Sequence, residues 1–335
     1  MAAPFAPDQL PEKQCRLGVV VINYRTPDLV RQCVGSMLGE LEALGARVVI
    51  VDNASGDGSV AALAGWLAKL GEAAPVDLIA SPDNTGFSGG NNIGLNALDA
   101  EYYLLVNSDT LVRPGALAAM LAAMEARPDA GVLAPRLEDM DATAQISVFR
   151  YHTPVSEFIA GASTGAVTRL LKGHDVPVPV SDEAMEAEWV SFACVMLRRA
   201  AMEAAGPMDD GFFMYYEDAD YCRAIRRAGF SVVYDPSVRV VHLRGGSSPV
   251  KKRMAQKKRP PAYYYASRTR YFRKGFGPAG PAMANVLWMA GRALGYLRVL
   301  AGKAPPQVCE GQGRDIWTGW RAPLRPWRPA PGKEG

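Results

Sequence analysis

Acidic and amide side chains recur in this chain at the places where apolar runs stop. "YYLLV" gives way to Asn107-Ser108-Asp109, "LGVVVI" to Asn23, "RVVIV" to Asp52-Asn53 and "VDLIA" to Ser81. A second acidic group, Glu217-Asp218 with Asp220, lies in "YYEDADY", where a helical pattern begins. His242, one of three histidines, closes the run "VRVVHL". A carboxylate at a strand end, across from a nucleotide, can hold Mg2+ or Mn2+. These ions take oxygen ligands and keep several waters, so one or two protein carboxylates suffice. The cation would bridge two phosphates and neutralise charge on a departing diphosphate. Helix capping is the competing account of any single strand-end Asn or Asp. Acids in a first helical turn also satisfy the helix dipole. Four strands ending alike favour a shared ligand site.

The elements that must position these residues alternate in period. Leu17–Ile22 reads as a strand, and residues 27–44 as a helix with Pro27 near its start. "RVVIVDN" is a second strand, "DGSVAALAGWLAKLG" a helix closed by Gly71, and "VDLIAS" a third strand. "YYLLVNSD", the helix "PGALAAMLAAME" and the strand "AGVLAPR" follow. Continuous apolar strands separated by helices imply an α/β fold with a mostly parallel sheet covered on both faces. Ligands in such sheets sit beyond the carboxyl ends of the strands. The dinucleotide fingerprint is missing. The first strand leads into "NYRTPDLVRQ", its next glycine is Gly35, and the later "GGNNIG" has the wrong spacing.

From Arg136 to Ala187 the pattern weakens into an irregular insert. A strand from Trp189 to Leu197 then runs into a helix. The second half of "DDGFFMYYEDADYCRAIRRAGF" is a helix with Tyr221, Ala224, Ile225 and Ala228 on one face. "SVVYDP" and "VRVVHL" read as two short strands.

The bulk numbers suit one large domain with an extension: 335 residues, 49% hydrophobic and 21% charged. The five cysteines are an odd number without a C-x-x-C pair, which fits reduced thiols in a cytosolic protein. "MAAPFAPDQLPEKQ" lacks the basic segment and apolar core of a signal peptide, and no uninterrupted apolar run is long enough to span a bilayer. The net charge of +3 conceals an asymmetry. Between Pro236 and Cys309 there are fifteen Lys and Arg and no acid. An anionic partner is implied for that section.

The ordered segments "VVVINYRTPDLVRQCVGSM", "VVIVDNASGDGS", "NTGFSGGNNIGL", "YYLLVNSDTLVRPGAL", "FMYYEDADYCRAIRRAGF" and "VVHLRGGS" resemble family 2 glycosyltransferases, which have the GT-A fold. The branch they resemble contains bacterial rhamnosyltransferases acting on lipid-linked or growing surface polysaccharides. The resemblance covers roughly residues 17 to 275. It implies an inverting transfer of a sugar, L-rhamnose from dTDP-rhamnose above other dTDP-, UDP- or GDP-sugars. Asn23, Arg25 and Thr26 would line the nucleotide pocket, and Asp52 would accept a hydrogen bond from the pyrimidine N–H with Asn53 nearby. Asn84, Gly86, Gly90 and Asn91 would shape the sugar-nucleotide cradle. Asp109 would bind the metal, with Asn107 beside it. Many relatives carry D-x-D where this chain has N-S-D. Asp218 is the expected catalytic base, because an inverting transferase needs one carboxylate to take the acceptor proton; Glu217 is the competing base. His242 would contact diphosphate or metal. Arg244, in a segment suited to wrapping a phosphate, would add a fixed positive donor. Trp189, Ser191 and Phe192 are candidate acceptor residues, the Phe192 ring either stacking on a sugar or filling core.

The domain plan is an extension over 1–16, a catalytic unit over 17–250 (nucleotide half 17–136, acceptor half 137–250), a basic helical region over 251–305 and a Pro/Trp-rich, extended tail over 306–335. "KKRMAQKKRPPAYYYASRTRYFRKGFG" mixes cations with aromatics. That mixture suits nucleic-acid stacking and equally a headgroup interface. The latter accords with a lipid-linked acceptor, so an anionic membrane surface is expected as partner and nucleic acid is not. "AMANVLWMAGRALGYLRVLAG" reads as a surface-lying helix, an oligomer contact being the alternative. The expected location is cytoplasmic, peripheral on the inner membrane face. The rival to this reading is a membrane- or nucleic-acid-binding module without catalysis; a nucleotidyltransferase would need a glycine-rich loop after the first strand.

Overall fold

The computed structural model describes residues 14–71, 73–243, 250–305 and 308–329. In chain order, β1 (Gln14–Asn23), α1 (Pro27–Gly35), α2 (Leu38–Leu41), β2 (Ala46–Asp52), α3 (Ser59–Leu70), β3 (Val76–Ala80), α4 (Gly86–Asn96) and β4 (Asp99–Asn107) form the first half. Then come β5 (Thr110–Val112), α5 (Ala116–Ala126), β6 (Ala130–Glu138), β7 (Val148–Phe149), α6 (Pro154–Ala162) and α7 (Gly165–Leu170). They are followed by β8 (Met185–Glu186), β9 (Trp189–Val190), β10 (Cys194–Arg198), α8 (Arg199–Ala205), α9 (Glu217–Arg227) and β11 (Ser231–His242). The chain continues in α10 (Val250–Ala255), α11 (Ala262–Phe276), α12 (Gly280–Leu300) and α13 (Gln312–Asp315).

The main sheet runs β3-β2-β1-β4-β10-β6-β11-β5, with β8 on β11. β1 pairs parallel with β2 and β4, β2 with β3, and β6 with β11. β10 is inserted antiparallel between β4 and β6. The continuous apolar strands are buried on both faces. Val19, Val21 and Ile50 pack under α1, α3 and α5, while Val20, Val49 and Val51 face the cluster built with α4, α8, α9 and α11. The parallel register brings Asn23 beside Asp52, and Ile22 beside Asn107, so the strand tips share one edge.

Several elements differ from the sequence reading. The first strand starts at Gln14, where it pairs with Asp99; residues 1–13 lie outside the described residues. The 27–44 helix is two helices, because the chain leaves α1 at Gly35-Ser36 and Ser36 Oγ turns back to the Cys33 carbonyl at 2.6 Å. The 189–197 strand is also two. Trp189-Val190 pairs with Val148-Phe149 in a separate small sheet, and only Cys194–Arg198 enters the main one. The two strands near the end of the catalytic unit are one, β11, bent by a register shift between Asp235 and Arg239. The irregular 136–187 insert contains α6 and α7.

The basic region is built into the same body. The α11 residues Tyr263, Tyr265, Tyr271 and Phe272 are buried, so these aromatics are core and not a stacking or headgroup surface. The tail is not extended: it forms α13, and Trp327 packs on Phe213 and Tyr263 with centroids 4.7 and 5.5 Å away. α12 crosses α6 backbone against backbone. A Cβ on Gly161 would lie 2.1 Å from the Trp288 carbonyl oxygen, and one on Gly291 2.1 Å from that of Phe158. Arg268 fixes this corner from inside. Its guanidinium, with 3% side-chain exposure, donates to Glu157 at 2.8 Å and to Asn285 at 2.6 Å, and Asn285 donates to the Ile316 carbonyl.

Removing one partner of a buried ion pair leaves the other charge uncompensated, which costs about 3–5 kcal/mol. Arg268→Leu should therefore lower the unfolding free energy by about that amount in denaturant melts. The double variant Arg268→Leu/Glu157→Gln should recover part of the loss; equal melting of the single and double variants would show that the pair is not what holds α6, α11 and α12.

Candidate active site

The strand tips are held by a buried polar network. Asn23 Nδ2 donates to Asp52 Oδ2 at 2.6 Å, and Asp52 also accepts from the Ser55 hydroxyl at 2.7 Å and the Ser55 N–H at 3.0 Å. Both Asn23 and Asp52 are buried beneath the tips. The Arg25 N–H and Nε both donate to Ser55, and the Thr26 hydroxyl meets the Ser108 hydroxyl at 3.1 Å. This tethers the loops after β1, β2 and β4 to one another.

Asn53 pins the loop before α4. Its amide donates to Asn84 Oδ1 and the Gly86 carbonyl, and its carbonyl oxygen accepts from Thr85 N–H and Oγ1. Gly86 has φ of +73°, and a Cβ there would lie 2.1 Å from the Phe213 carbonyl oxygen. That oxygen accepts from the Phe87 N–H at 2.7 Å. Gly90 serves close packing of α4 on β1, since its Cβ position is 3.0 Å from Ile22 Cδ1. Asn91 is buried and donates back to the Phe87 carbonyl. Of the residues expected in the nucleotide site, Asn53, Asn84, Gly86 and Asn107 line the cleft at the strand tips, together with Tyr24, Ser108, Phe213, Met214 and Tyr263. Asn23, Asp52 and Asn91 support it from behind.

Asp109 and His242 lie side by side. Both are buried, with His242 Nε2 3.5 Å from Asp109 Oδ1. His242 is the last residue of β11 and pairs with Thr110 of β5, while the Leu243 N–H donates to the Asp109 carbonyl. Gln145 orients the ring. Its Nε2 donates to the His242 carbonyl and to Asp139, so its Oε1 is left to accept from His242 Nδ1–H at 3.0 Å. In that tautomer the Nε2 lone pair points at a carboxylate oxygen, an arrangement that a proton or a cation between them resolves. A carboxylate and an imidazole held by an outer hydrogen bond fit a divalent ion. Among the described residues no third acid, His or Cys joins them. Arg244 lies outside the described residues.

Across the cleft, the chain turns sharply into α9. Tyr215 and Tyr216 both have positive φ, +72° and +70°, a conformation that costs free energy in non-glycine residues and concentrates at functional sites. The turn delivers Glu217 and Asp218 to the helix N-terminus. The two acids differ in surroundings. Glu217 is buried with Oε2 making no hydrogen bond among the described residues, and burial, then the charge of Asp218, raises its pKa well above the carboxylate range. Asp218 is part-exposed, and its Oδ1 accepts from the Ala219 N–H at 2.9 Å. Asp220 is committed to Lys274, which also binds Asp209. Burial separates the two neighbours: Glu217 is enclosed and Asp218 part-exposed.

The acceptor candidates sit deeper than a stacking role needs. Trp189 is buried, stacked on Phe149 at 4.2 Å, with Nε1 donating to the Arg150 carbonyl. Phe192 is buried edge-on to Tyr221, so its ring fills core. Ser191 is part-exposed between them. Sequence reasoning missed His152, whose ring lies 4.8 Å from Tyr216 and 5.9 Å from Trp189 and Tyr271. Burial pushes its pKa down to about 4. Gln145, Phe213, Met214 and Tyr263 were also missed, none of them marked by a motif.

Residues 18–164 match the family described as Glycosyl transferase family 2. They form a family 2 glycosyltransferase domain. The chain is 27% identical over 248 residues to the N-acetylglucosaminyl-diphospho-decaprenol L-rhamnosyltransferase of Mycobacterium tuberculosis, covering 69% of this chain and 77% of that protein. Among solved structures it is similar to the mannosyltransferase PcManGT from Pyrobaculum calidifontis in complex with GDP-Man and Mn2+, with a TM-score of 0.54 and 16% identity over 96% of this chain and 87% of that one. It is also similar to GalNAc-T7 with UDP, GalNAc and Mn2+, with a TM-score of 0.55 and 14% identity over 93% of this chain and 57% of that one. The fold is GT-A, and the chain is a glycosyltransferase.

The raised pKa of Glu217 has a thermodynamic signature. Its folded pKa lies above the unfolded value of 4.5, so the folded state keeps a proton that the unfolded chain releases. This contribution to stability is complete below that pH and is lost as pH rises through the folded pKa. Glu217→Gln should remove the decline, giving a flatter unfolding free energy between about pH 5 and 8 than the parent chain shows. An unchanged slope in denaturant melts would mean that Glu217 is ionised in the fold.

Proposed function

We propose that the chain transfers L-rhamnose, with inversion, from dTDP-rhamnose to a lipid-linked saccharide. One observation supports this reading: Asn107-Ser108 and Phe213-Met214 line a single cleft. Asp109, paired with His242, follows Ser108 in the chain, and Asp218 follows Met214 by four residues. The rhamnosyl donor and lipid diphosphate acceptor are suggested by the name of the mycobacterial relative.

In this mechanism Asp218 accepts the proton of the attacking acceptor hydroxyl. Glu217, its neighbour, is buried and so less open to an incoming acceptor. Asp109 and His242 would hold a divalent cation, which when bound neutralises charge on the leaving diphosphate. Asn53 and Asn84 hold the loop that meets the nucleotide, and the Asn23–Asp52 pair keeps the tips of β1 and β2 level beneath it. Lys274 and Arg270 bind Asp209 and so fix the loop that leads to the base.

A thermal-shift panel of dTDP-, UDP- and GDP-sugars tests the donor, since a true donor stabilises only the folded state. dTDP-rhamnose should give the largest shift, increased by Mn2+, and Asp109→Asn or His242→Ala should abolish the increase. A shift confined to GDP-sugars would overturn the donor assignment. Asp218→Asn should reduce kcat by at least ~10²-fold while the donor shift persists. Turnover at the parental rate in that variant, with loss of activity in Glu217→Gln, would transfer the role to Glu217.

A further inference from the structure

Helix α12 has two apolar faces. One is used inside the protein, where Gly280, Ala284, Trp288, Gly291 and Gly295 are buried. The other is bare. Met283, Val286, Met289, Leu294, Leu297 and Leu300 are exposed along it, with Val286 58%, Leu297 57% and Leu300 85% accessible. Their spacing places them on one side of the helix. Ala290 and Ala293 fill the gaps, so no acid, amide or lysine interrupts the stripe. At 100° per residue, Arg292 and Arg298 fall on its opposite edges. Arg292 donates to the Tyr296 hydroxyl at 3.1 Å, and Arg298 to the Ser163 carbonyl at 3.5 Å. A continuous apolar stripe of this kind marks a contact surface.

Charge selects the occupant. Lys252, Arg253, Lys257 and Lys258 are exposed on or just beyond α10. The Lys257 carbonyl accepts from the Glu310 N–H at 2.9 Å, and the segment around Glu310 faces Met289 and Arg292 of α12 across a shared cleft. The basic group and the apolar stripe are therefore neighbours, in a stretch of chain with fifteen cations and no acid. A second copy would set like charges together; a surface of anionic lipid supplies the opposite sign.

We propose that α12 lies flat at the headgroup boundary of an anionic bilayer. Its stripe faces the acyl chains, and Arg292, Arg298 and the α10 cations meet lipid phosphates. The helix does not cross: among the described residues none is long and apolar enough to do so. The aromatics of α11 take no part, being buried. The inference stands on these surfaces alone and survives a change of donor or acceptor.

The test is flotation of the full chain with vesicles of phosphatidylglycerol and phosphatidylcholine, or of phosphatidylcholine alone. The parent chain should float with the anionic vesicles only. Val286→Glu/Leu297→Glu, at exposed positions, should reduce partitioning roughly tenfold or more, and Gln at Lys252, Arg253, Lys257 and Lys258 should do so most at low salt. Both variants should keep the parental melting temperature and donor hydrolysis rate. Failure of the parent to float, or flotation of the Glu variant at the parental level, overturns the proposal. A dimer in sedimentation velocity that the Glu variant dissociates, with no vesicle binding by the parent, assigns the stripe to a second copy instead. Loss of rhamnose transfer with intact flotation would refute the proposed reaction and leave this inference standing.

Discussion

The carbonyl of Phe213 occupies the space where residue 86 would carry a side chain, and it accepts the Phe87 N–H. That contact joins the half of the molecule built from strand tips to the half that carries Glu217 and Asp218. Only glycine meets both requirements at position 86, the positive φ and the missing Cβ. A second clamp lies one turn along α4, where the Asn92 side chain donates to the Met208 carbonyl at 2.8 Å and accepts from the Met208 N–H at 3.2 Å. The loop 208–216 is thus held at both ends by the helix that follows the third strand. The left-handed pair Tyr215-Tyr216 can persist because the surrounding contacts leave the loop no alternative.

The far side of the same loop is held by charge. Arg270 and Lys274 of α11 bind Asp209, and Lys274 reaches Asp220 one turn into α9. Ser267 donates to the Met214 carbonyl, and the Tyr216 and Tyr264 hydroxyls meet at 3.4 Å. A helix that looks like an appendage by composition is the back wall of loop 208–216. Two of its four cations, Arg270 and Lys274, are spent on this task and a third, Arg268, on Glu157, which separates them from the exposed cations of α10. Net charge by segment could not draw that distinction, because it counts a buried Arg268 and a solvated Lys258 alike.

What the sequence showed plainly was local. Strands buried on both faces are continuously apolar, so β1, β2 and β4 stood out, and a parallel register puts Asn23, Asp52 and Asn107 at one edge without further information. The resemblance names Asp109 and His242 as candidates for one ion, and the fold sets them 3.5 Å apart. What stayed hidden depends on contacts distant in the chain. "WVSFACVML" has the composition of one strand, and only the pairing of Trp189-Val190 with Val148-Phe149 divides it. Tyr263, Tyr271 and Phe272 beside lysines and arginines read as an interface, yet tertiary packing turned them inward. Glu217 and Asp218 are adjacent acids, of which the sequence reading prefers Asp218 as base and keeps Glu217 as its competitor. Burial of one, which no pattern announces, separates their chemistry.

The crossing of α6 and α12 through Gly161 and Gly291 leaves no side-chain cushion between the two backbones. Such a joint neither slides nor tilts without breaking van der Waals contact along its length. With α12 placed on a bilayer as proposed, and α11 packed between it and loop 208–216, the cleft would stand at a set height above that surface. A transferase with this geometry would measure its acceptors: a hydroxyl too near the supporting plane, or too far along a growing chain, would miss the base regardless of its chemical identity.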